Sequence, residues 1–238
     1  MKNIFFWHKR TKVHVDVFVK NKQIADYPID HVSRYLPIWF KNLKPKSKDS
    51  DFLNTLTRST FKVCDGFQYM MKDTYVLPMW TDFSIMVQSD GAYNYVFPAP
   101  EFDFGSSQHP PEQMGHAFDP MVHFKLHTPY LLSTKEDIKF HFGQATWSHQ
   151  HFNGDLILPP ATVKFTHQMV ANLNMFLKID RQYLLEAGMA MMYIVPMTER
   201  KVVFKTHVLS TSEYDDLRES TYPNKFHGFY KDKLKRHA

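Results

Sequence analysis

From Met169 to Ile179 the chain alternates in character. Met169, Ala171, Leu173, Met175, Leu177 and Ile179 are all apolar, and Val170, Asn172, Asn174, Phe176 and Lys178 fall between them. Side chains point to opposite faces of a sheet with period two, so the pattern predicts a half-buried strand with one wholly apolar face. A short polar segment ending in Glu186-Ala187-Gly188 follows, and then Met189 to Val195 is apolar on both faces. That second run is too short for an ordinary helix and reads as a central buried strand ended by Pro196. Near the start, Val13, Val15, Val17 and Val19 alternate with His14, Asp16 and Phe18 and predict a first strand.

Between residues 29 and 72 the period changes. Pro37 followed by Trp39, Phe40 and Leu43 predicts a short amphipathic helix beginning at the proline. Residues 44–51 are polar and charged, and read as a loop. Leu53, Leu56, Phe61, Val63, Phe67, Met70 and Met71 recur near helical spacing, while Gly66 and Ser59-Thr60-Phe61 divide the stretch into two short helices. Tyr75 to Pro78 and Phe83 to Val87 flank Trp80, and with the turn entering Gly91 to Phe97 they predict a β-hairpin.

From Pro98 to Pro120 prolines recur with little periodicity, which predicts a long ordered loop or a strand crossing between sheets. Strand-like runs then return at short intervals: Val122–Leu126, Tyr130–Leu132, Ile138–Phe142, Leu156–Leu158, Val163–Thr166 and Val202–Leu209. Many short strands separated by turns predict a mainly β fold, an antiparallel sandwich or jelly roll, rather than a parallel sheet with crossover helices. The expected organisation is one domain over residues 1–238: a helical elaboration at 29–72, a β core at 75–209 and a basic tail at 212–238. In that tail Ser212 opens a short acidic helical turn, and the remainder is expected to be draped or mobile.

Composition narrows the function classes. With 238 residues, 43% hydrophobic and 16% aromatic, the chain is rich enough in apolar side chains to bury a core. No window approaches the roughly 18 consecutive apolar residues of a membrane helix, so no membrane partner is expected. The opening Met1 to His8 is too briefly apolar for a signal peptide and lacks a small-residue cleavage site, which predicts a cytosolic or intracellularly made protein. Cys64 is the single cysteine, so an internal disulfide and a multi-thiolate zinc site are excluded, and a free cysteine is ordinarily a small buried hydrophobe. The formal charge is +5, with the excess at Lys9-Arg10-Lys12, Lys41 to Lys48 and Lys231 to Arg236. Elsewhere acids and bases intersperse, the pattern of solvated flanks more than of a nucleic-acid footprint.

Four stretches carry a resemblance. They are Leu36-Pro37-Ile38-Trp39-Phe40-Lys41-Asn42-Leu43-Lys44-Pro45; Thr60-Phe61-Lys62-Val63-Cys64 through Leu77-Pro78-Met79-Trp80-Thr81-Asp82; His109-Pro110-Pro111-Glu112-Gln113 with Lys125-Leu126-His127-Thr128-Pro129-Tyr130; and Leu185-Glu186-Ala187-Gly188 through Ile194-Val195-Pro196-Met197-Thr198-Glu199-Arg200. In order and spacing these resemble, across nearly the whole chain, an uncharacterised protein family of marine tailed bacteriophages with distant bacterial relatives. The resemblance implies a phage origin and one β-rich domain preceded by a helical segment, in the virion or the infected bacterial cytoplasm, and it carries no established activity. The chain departs from the family where relatives place a Gly-containing turn and an acidic segment, since Pro159-Pro160-Ala161-Thr162-Val163 stands there. The Ala187-Gly188 turn before an apolar strand is also similar to nucleotide-pyrophosphatase β folds, but their catalytic Asp and Tyr motifs are missing, so that chemistry does not carry over.

Histidines supply the candidate chemistry, 14 in all. Gly143, five residues, His149-Gln150-His151, three residues and Asp155 resembles the first metal motif of cupins with Asp in the usual Glu position. On a strand, imidazoles at i and i+2 point the same way and with Asp155 would hold Fe, Mn or Zn. The later strand lacks the third histidine, because Met189, Ala190 and Met191 follow Gly188. His14 and Asp16 have the His-x-Asp form of iron oxygenases, with no later partner evident. His109, Glu112 and Gln113 in the Pro-rich loop are candidates for binding a polar ligand, or else for satisfying loop backbone groups.

No complete catalytic set emerges, and no cofactor is implied outside the metal alternative. The reading is a phage-encoded, non-enzymatic structural or accessory protein acting through self-association or a protein partner, with Met169 to Val195 and the Pro-rich loop as contact surfaces. The alternative is a cupin-like metal-dependent enzyme using His149, His151 and Asp155.

Overall fold

In a computed structural model the chain is described at residues 12–48, 57–114, 116–166 and 170–220. The alternation at the start forms a strand over Val13–Val19, with all four valines fully buried and His14, Asp16 and Phe18 turned outward. It pairs antiparallel with Leu131–Ser133 and parallel, along its whole length, with Val202–Val208. This parallel ladder departs from the antiparallel expectation; every other strand pair among the described residues is antiparallel.

The doubly apolar run becomes the strand Ala190–Pro196, third of five in a sheet. Phe140–Gln144 lies on one side of it and Tyr75–Pro78 on the other, with Ala161–Val163 and Asp30–His31 at the edges. Tyr193 stands opposite Gly143 in one neighbour and Val76 in the other. Both faces are covered, which is why both are apolar. Met192 and Ile194 enter the main core, while Ala190 and Tyr193 sit under a second, smaller cluster that includes Val32, Phe40, Phe67 and Met71.

Leu173–Leu177 lies between Leu156–Ile157 and Val122–Leu126, with Ser106–Ser107 at the edge of that sheet. Its predicted apolar face is the core face: Leu173 is opposite Leu126, Met175 opposite Phe124 and Leu177 opposite Val122. A further sheet places Phe83–Val87 between Arg181–Leu185 and Tyr93–Val96. Inward residues of these sheets join one cluster around Trp80, a sandwich-like arrangement of mainly antiparallel sheets. Trp80 is 1% exposed, donates its indole N–H to the Phe102 carbonyl at 2.9 Å and is ringed by Phe97, Phe104 and Tyr130. Burying an indole removes roughly 200 Å², a gross gain of about 5 kcal/mol at ~25 cal/mol per Å².

Several expected elements move. Tyr75–Pro78 pairs with Ala190–Pro196 and not within a local hairpin; the hairpin joins Phe83–Val87 to Tyr93–Val96. Its turn is closed by Gly91 at φ +85° and by the Asp90 carboxylate accepting from the Ala92 N–H at 2.9 Å. Pro37 precedes the helix Ile38–Asn42 as its N-cap. Within the expected loop after it, Lys46–Lys48 pairs with Thr57–Ser59. Of the two short helices expected at 52–72, a 3₁₀ turn at Phe61–Val63 and the helix Asp65–Lys72 are described, whereas Phe52 to Leu56 lies outside the described residues.

The C-terminal helix runs Thr211–Glu219 and is capped by Ser210 instead of Ser212, with Ser210 and Glu213 forming a reciprocal capping box. Tyr214 is fully buried and donates to the Pro129 carbonyl at 2.9 Å, so this part of the expected loose tail is docked. The rest of that tail, 221–238, lies outside the described residues. No helix among the described residues is long and apolar enough to cross a membrane.

Candidate interaction surface

The Pro-rich segment folds back over the outer face of the Leu173–Leu177 and Val122–Leu126 strands. Ser106–Ser107 pairs with Leu126 and Lys125, 3₁₀ turns occupy Pro100–Phe102 and Pro111–Met114, and the Asp119–Pro120 bond is cis. Phe118 stacks on Phe176 with centroids 3.8 Å apart, which buries a ring on the otherwise polar face of its strand. The His109 backbone N–H donates to Nδ1 of His123 at 3.0 Å, and the two rings lie 4.9 Å apart. That bond makes Nδ1 of His123 an acceptor, and burial, then the neighbouring His109, holds the His123 pKa below the ordinary histidine value.

A cleft of about 390 Å³ opens beside this contact, lined by His109, His116, His123, Asp90, Asp119 and apolar side chains including Phe118. Of the three residues predicted to bind a polar ligand, His109 lines the cleft and Glu112 and Gln113 do not. His109 Nδ1 and Gln113 Oε1 are 2.7 Å apart, so the pair is engaged in bracing the loop, while Glu112 is exposed on the turn.

The residues of the expected metal set have separate partners. His149 and His151 lie on 3₁₀ turns, Thr146–Ser148 with its following residue and Gln150–Phe152, so the strand geometry that would align their imidazoles is not adopted. His149 is buried; its Nε2–H donates to the Ala190 carbonyl at 2.8 Å, and Nδ1 accepts from the Gln144 amide at 3.2 Å. Gln144 also bonds the Leu156 carbonyl and the Leu158 N–H, making the imidazole part of a bracket between sheets. Burial pushes the His149 pKa down to about 4. His151 is exposed with its ring 3.9 Å from that of Phe152, and Asp155 pairs with Lys178 and Arg181 at 3.2 and 3.4 Å. Among the described residues no group of three or more His, Cys, Asp or Glu is placed to share an ion. His14 is exposed, and Asp16 accepts from Nε2 of His207 at 2.8 Å.

The expected contact surface at Met169 to Val195 is largely interior. Met191 and Met192 are 0% and 4% exposed; Leu184, at 60%, is the outward-facing large apolar residue of that run. Met169 itself lies outside the described residues.

The exposed apolar surface is elsewhere, on the helical elaboration. Helices Val32–Tyr35, Ile38–Asn42 and Asp65–Lys72 cover the outer face of the five-stranded sheet, setting Phe40, Phe67 and Met71 against Val76, Ala190 and Tyr193. His31 ties the layer together: Nε2–H donates to the Lys72 carbonyl at 2.9 Å and Nδ1 accepts from the Ser33 N–H at 3.2 Å. Phe61 packs 4.5 Å from Phe67 and 4.6 Å from Trp147, and the Trp39 indole N–H donates to the Trp147 carbonyl at 3.2 Å.

This layer is incompletely filled. A groove of about 730 Å³ runs through it, walled by Val32, Leu36, Phe40, Val63, Phe67 and Met71. Of the eleven large hydrophobics that are exposed among the described residues, six stand on this layer: Ile38, Trp39, Phe61, Val63, Tyr69 and Met70. Ile38 and Tyr69 are 75% and 76% exposed. The signal was present in the sequence: in Asp65–Lys72, Phe67 and Met71 satisfy one buried face, and Tyr69 and Met70 are apolar positions that face does not need. No protein-family model, no curated protein and no solved structure matches the chain.

Proposed function

We propose that this protein is a non-enzymatic partner-binding component, phage-encoded and structural or accessory, whose working surface is the groove of the helical elaboration. The observation that carries this reading is the concentration of exposed Ile38, Trp39, Phe61, Val63, Tyr69 and Met70 on the layer that holds a groove of about 730 Å³, with Val63 and Tyr69 lining the groove itself. Exposed apolar surface concentrated on one layer of a folded chain suits a place where another surface sits, because leaving it in water forgoes about 25 cal/mol for each Å². Rings braced on one another, Phe40 on Phe67 in the groove wall and Phe61 on Trp147 in the same layer, supply the rigid aromatic surface that interfaces favour. The side chains considered for chemistry support the same reading, since His149 bonds the Ala190 carbonyl, Asp155 pairs with Lys178 and the His109 ring bonds Gln113, contacts that hold the fold.

The test is incorporation. The chain is quantified by mass spectrometry in purified phage particles and in infected-cell complexes, beside an Ile38→Asp/Tyr69→Asp variant. Both side chains are mostly exposed, so the variant folds with stability within about 0.5 kcal/mol of the parent and loses its place in the assembly. Undiminished incorporation of the variant overturns the reading.

A further inference from the structure

Resting on that reading, we infer that the groove's occupant is an acidic, amphipathic segment of a partner protein. The floor calls for large apolar side chains, and the charges around it specify the rest. Lys62 and Lys72 line the groove against one carboxylate, Asp65. Lys62 donates to the Lys41 carbonyl at 3.0 Å and lies 6.0 Å from the centre of the Phe40 ring, which fixes its ammonium at the wall. Arg34 and Asp30 are paired with each other at 3.5 Å and contribute no net charge. Lys41, Lys44 and Lys46 continue the basic frame along the neighbouring segment, all exposed. None of these five lysines is in an ion pair among the described residues.

Two other occupants meet the wrong charge. A second copy docking face to face sets the same lysines against themselves, because a two-fold interface is made of identical patches. The chain's own stretch 221–238 carries Lys225, Lys231, Lys233, Lys235 and Arg236 against Asp232, the same sign as the frame. An acidic segment with bulky residues recurring at i, i+3, i+4 and i+7 satisfies both requirements: apolar anchors fill the groove, and flanking carboxylates meet the lysines. The lysines then steer the encounter and choose the partner, while the rings hold it.

The test is fluorescence anisotropy of the full chain with two synthetic amphipathic peptides of about 16 residues, a length that holds two successive sets of i to i+7 anchors. Both carry Leu and Phe on one face; one has Glu on its flanks and the other Lys. The Glu peptide is expected to bind at least tenfold more tightly, with affinity falling as salt rises. In a Lys62→Glu/Lys72→Glu variant the preference inverts, and that gained affinity for the Lys peptide cannot come from a misfolded chain. Equal binding of both peptides, or an unchanged preference in the variant, overturns the inference, as does displacement of the Glu peptide by single-stranded DNA or salt-insensitive self-association through the groove. Failure here with continued loss of incorporation by Ile38→Asp/Tyr69→Asp removes the acidic partner and leaves the interaction surface standing; unchanged incorporation removes both.

Discussion

Protonating His149 is expected to strain the junction between the Phe140–Gln144 strand and the turns that follow it. The neutral ring donates from Nε2 to the Ala190 carbonyl and accepts at Nδ1 from Gln144. A proton added at Nδ1 meets the Gln144 amide donor head-on, inside a site where His149 is 5% exposed. Its pKa falls from 6.5 in the open chain to about 4 in the fold, with burial as the chief cause. Because the folded value is the lower one, the unfolded chain takes up the proton first. The stabilisation is complete above about pH 6.5, declines as the pH falls and is exhausted below about 4. At 1.36 kcal/mol per unit, the whole decline is about 3 kcal/mol. Urea unfolding between pH 7.5 and 4 measures it, with a His149→Gln variant as the reference that cancels the other titrating groups. The variant is less stable at pH 7.5, by about 1–2 kcal/mol for the disturbed buried bonds, and the gap to the parent closes or reverses towards pH 4. A gap that stays constant across that range refutes the assignment of the buried neutral ring.

Gly188→Ala should lower stability by at least about 1–2 kcal/mol, because φ at this position is +80° and an added Cβ lies 3.1 Å from the Tyr27 ring; thermal unfolding reads the loss. Ser210→Ala removes the cap of the Thr211–Glu219 helix and costs about 1 kcal/mol in urea titration. The box holds Glu213 below its usual carboxylate value through its bonds to Ser210, so the carboxylate's part of the cap is present near neutrality and fades in acid, while the Ser210 hydroxyl bond to the Glu213 N–H does not titrate. His123→Phe deletes the acceptor of the His109 N–H and exposes that amide to solvent exchange, an effect seen by hydrogen–deuterium exchange as faster labelling near His109 while the Leu173–Leu177 strand stays protected. In the parent the same amide loses protection as the pH drops below the ordinary histidine range, since the depressed His123 pKa means the neutral ring is the folded form.

Much of the fold was legible because its strands obey period two and its central strand obeys no period at all. Val13–Val19 formed over the residues the alternation marked, Val122–Leu126 over a predicted strand-like run, and Leu173–Leu177 turned its apolar positions inward. Pairing was not legible. Tyr75–Pro78 lies close in sequence to Phe83–Val87, yet its partner is Ala190–Pro196, and only packing among distant segments decides that. Phe176 broke the polar face of its strand for a reason visible only when Phe118 is laid upon it. At the candidate sites, the His149 and His151 spacing fitted a strand, but the backbone there turns into 3₁₀ geometry and one ring is drawn under Ala190. The groove escaped notice because apolar residues in a short helix are counted as core until a structure shows which of them have nothing above them.

The parallel ladder between Val13–Val19 and Val202–Val208 has a consequence for synthesis. The first strand of the described chain takes as its neighbour the last, so it leaves the ribosome long before that neighbour exists. At about 5–20 residues per second, the interval is on the order of 10–40 s. Throughout it, four valines and one unpaired strand edge stand without their parallel partner, the kind of surface that recruits other chains. Closure of this ladder therefore waits until synthesis has passed Val208, and until then the nascent chain carries an open strand edge.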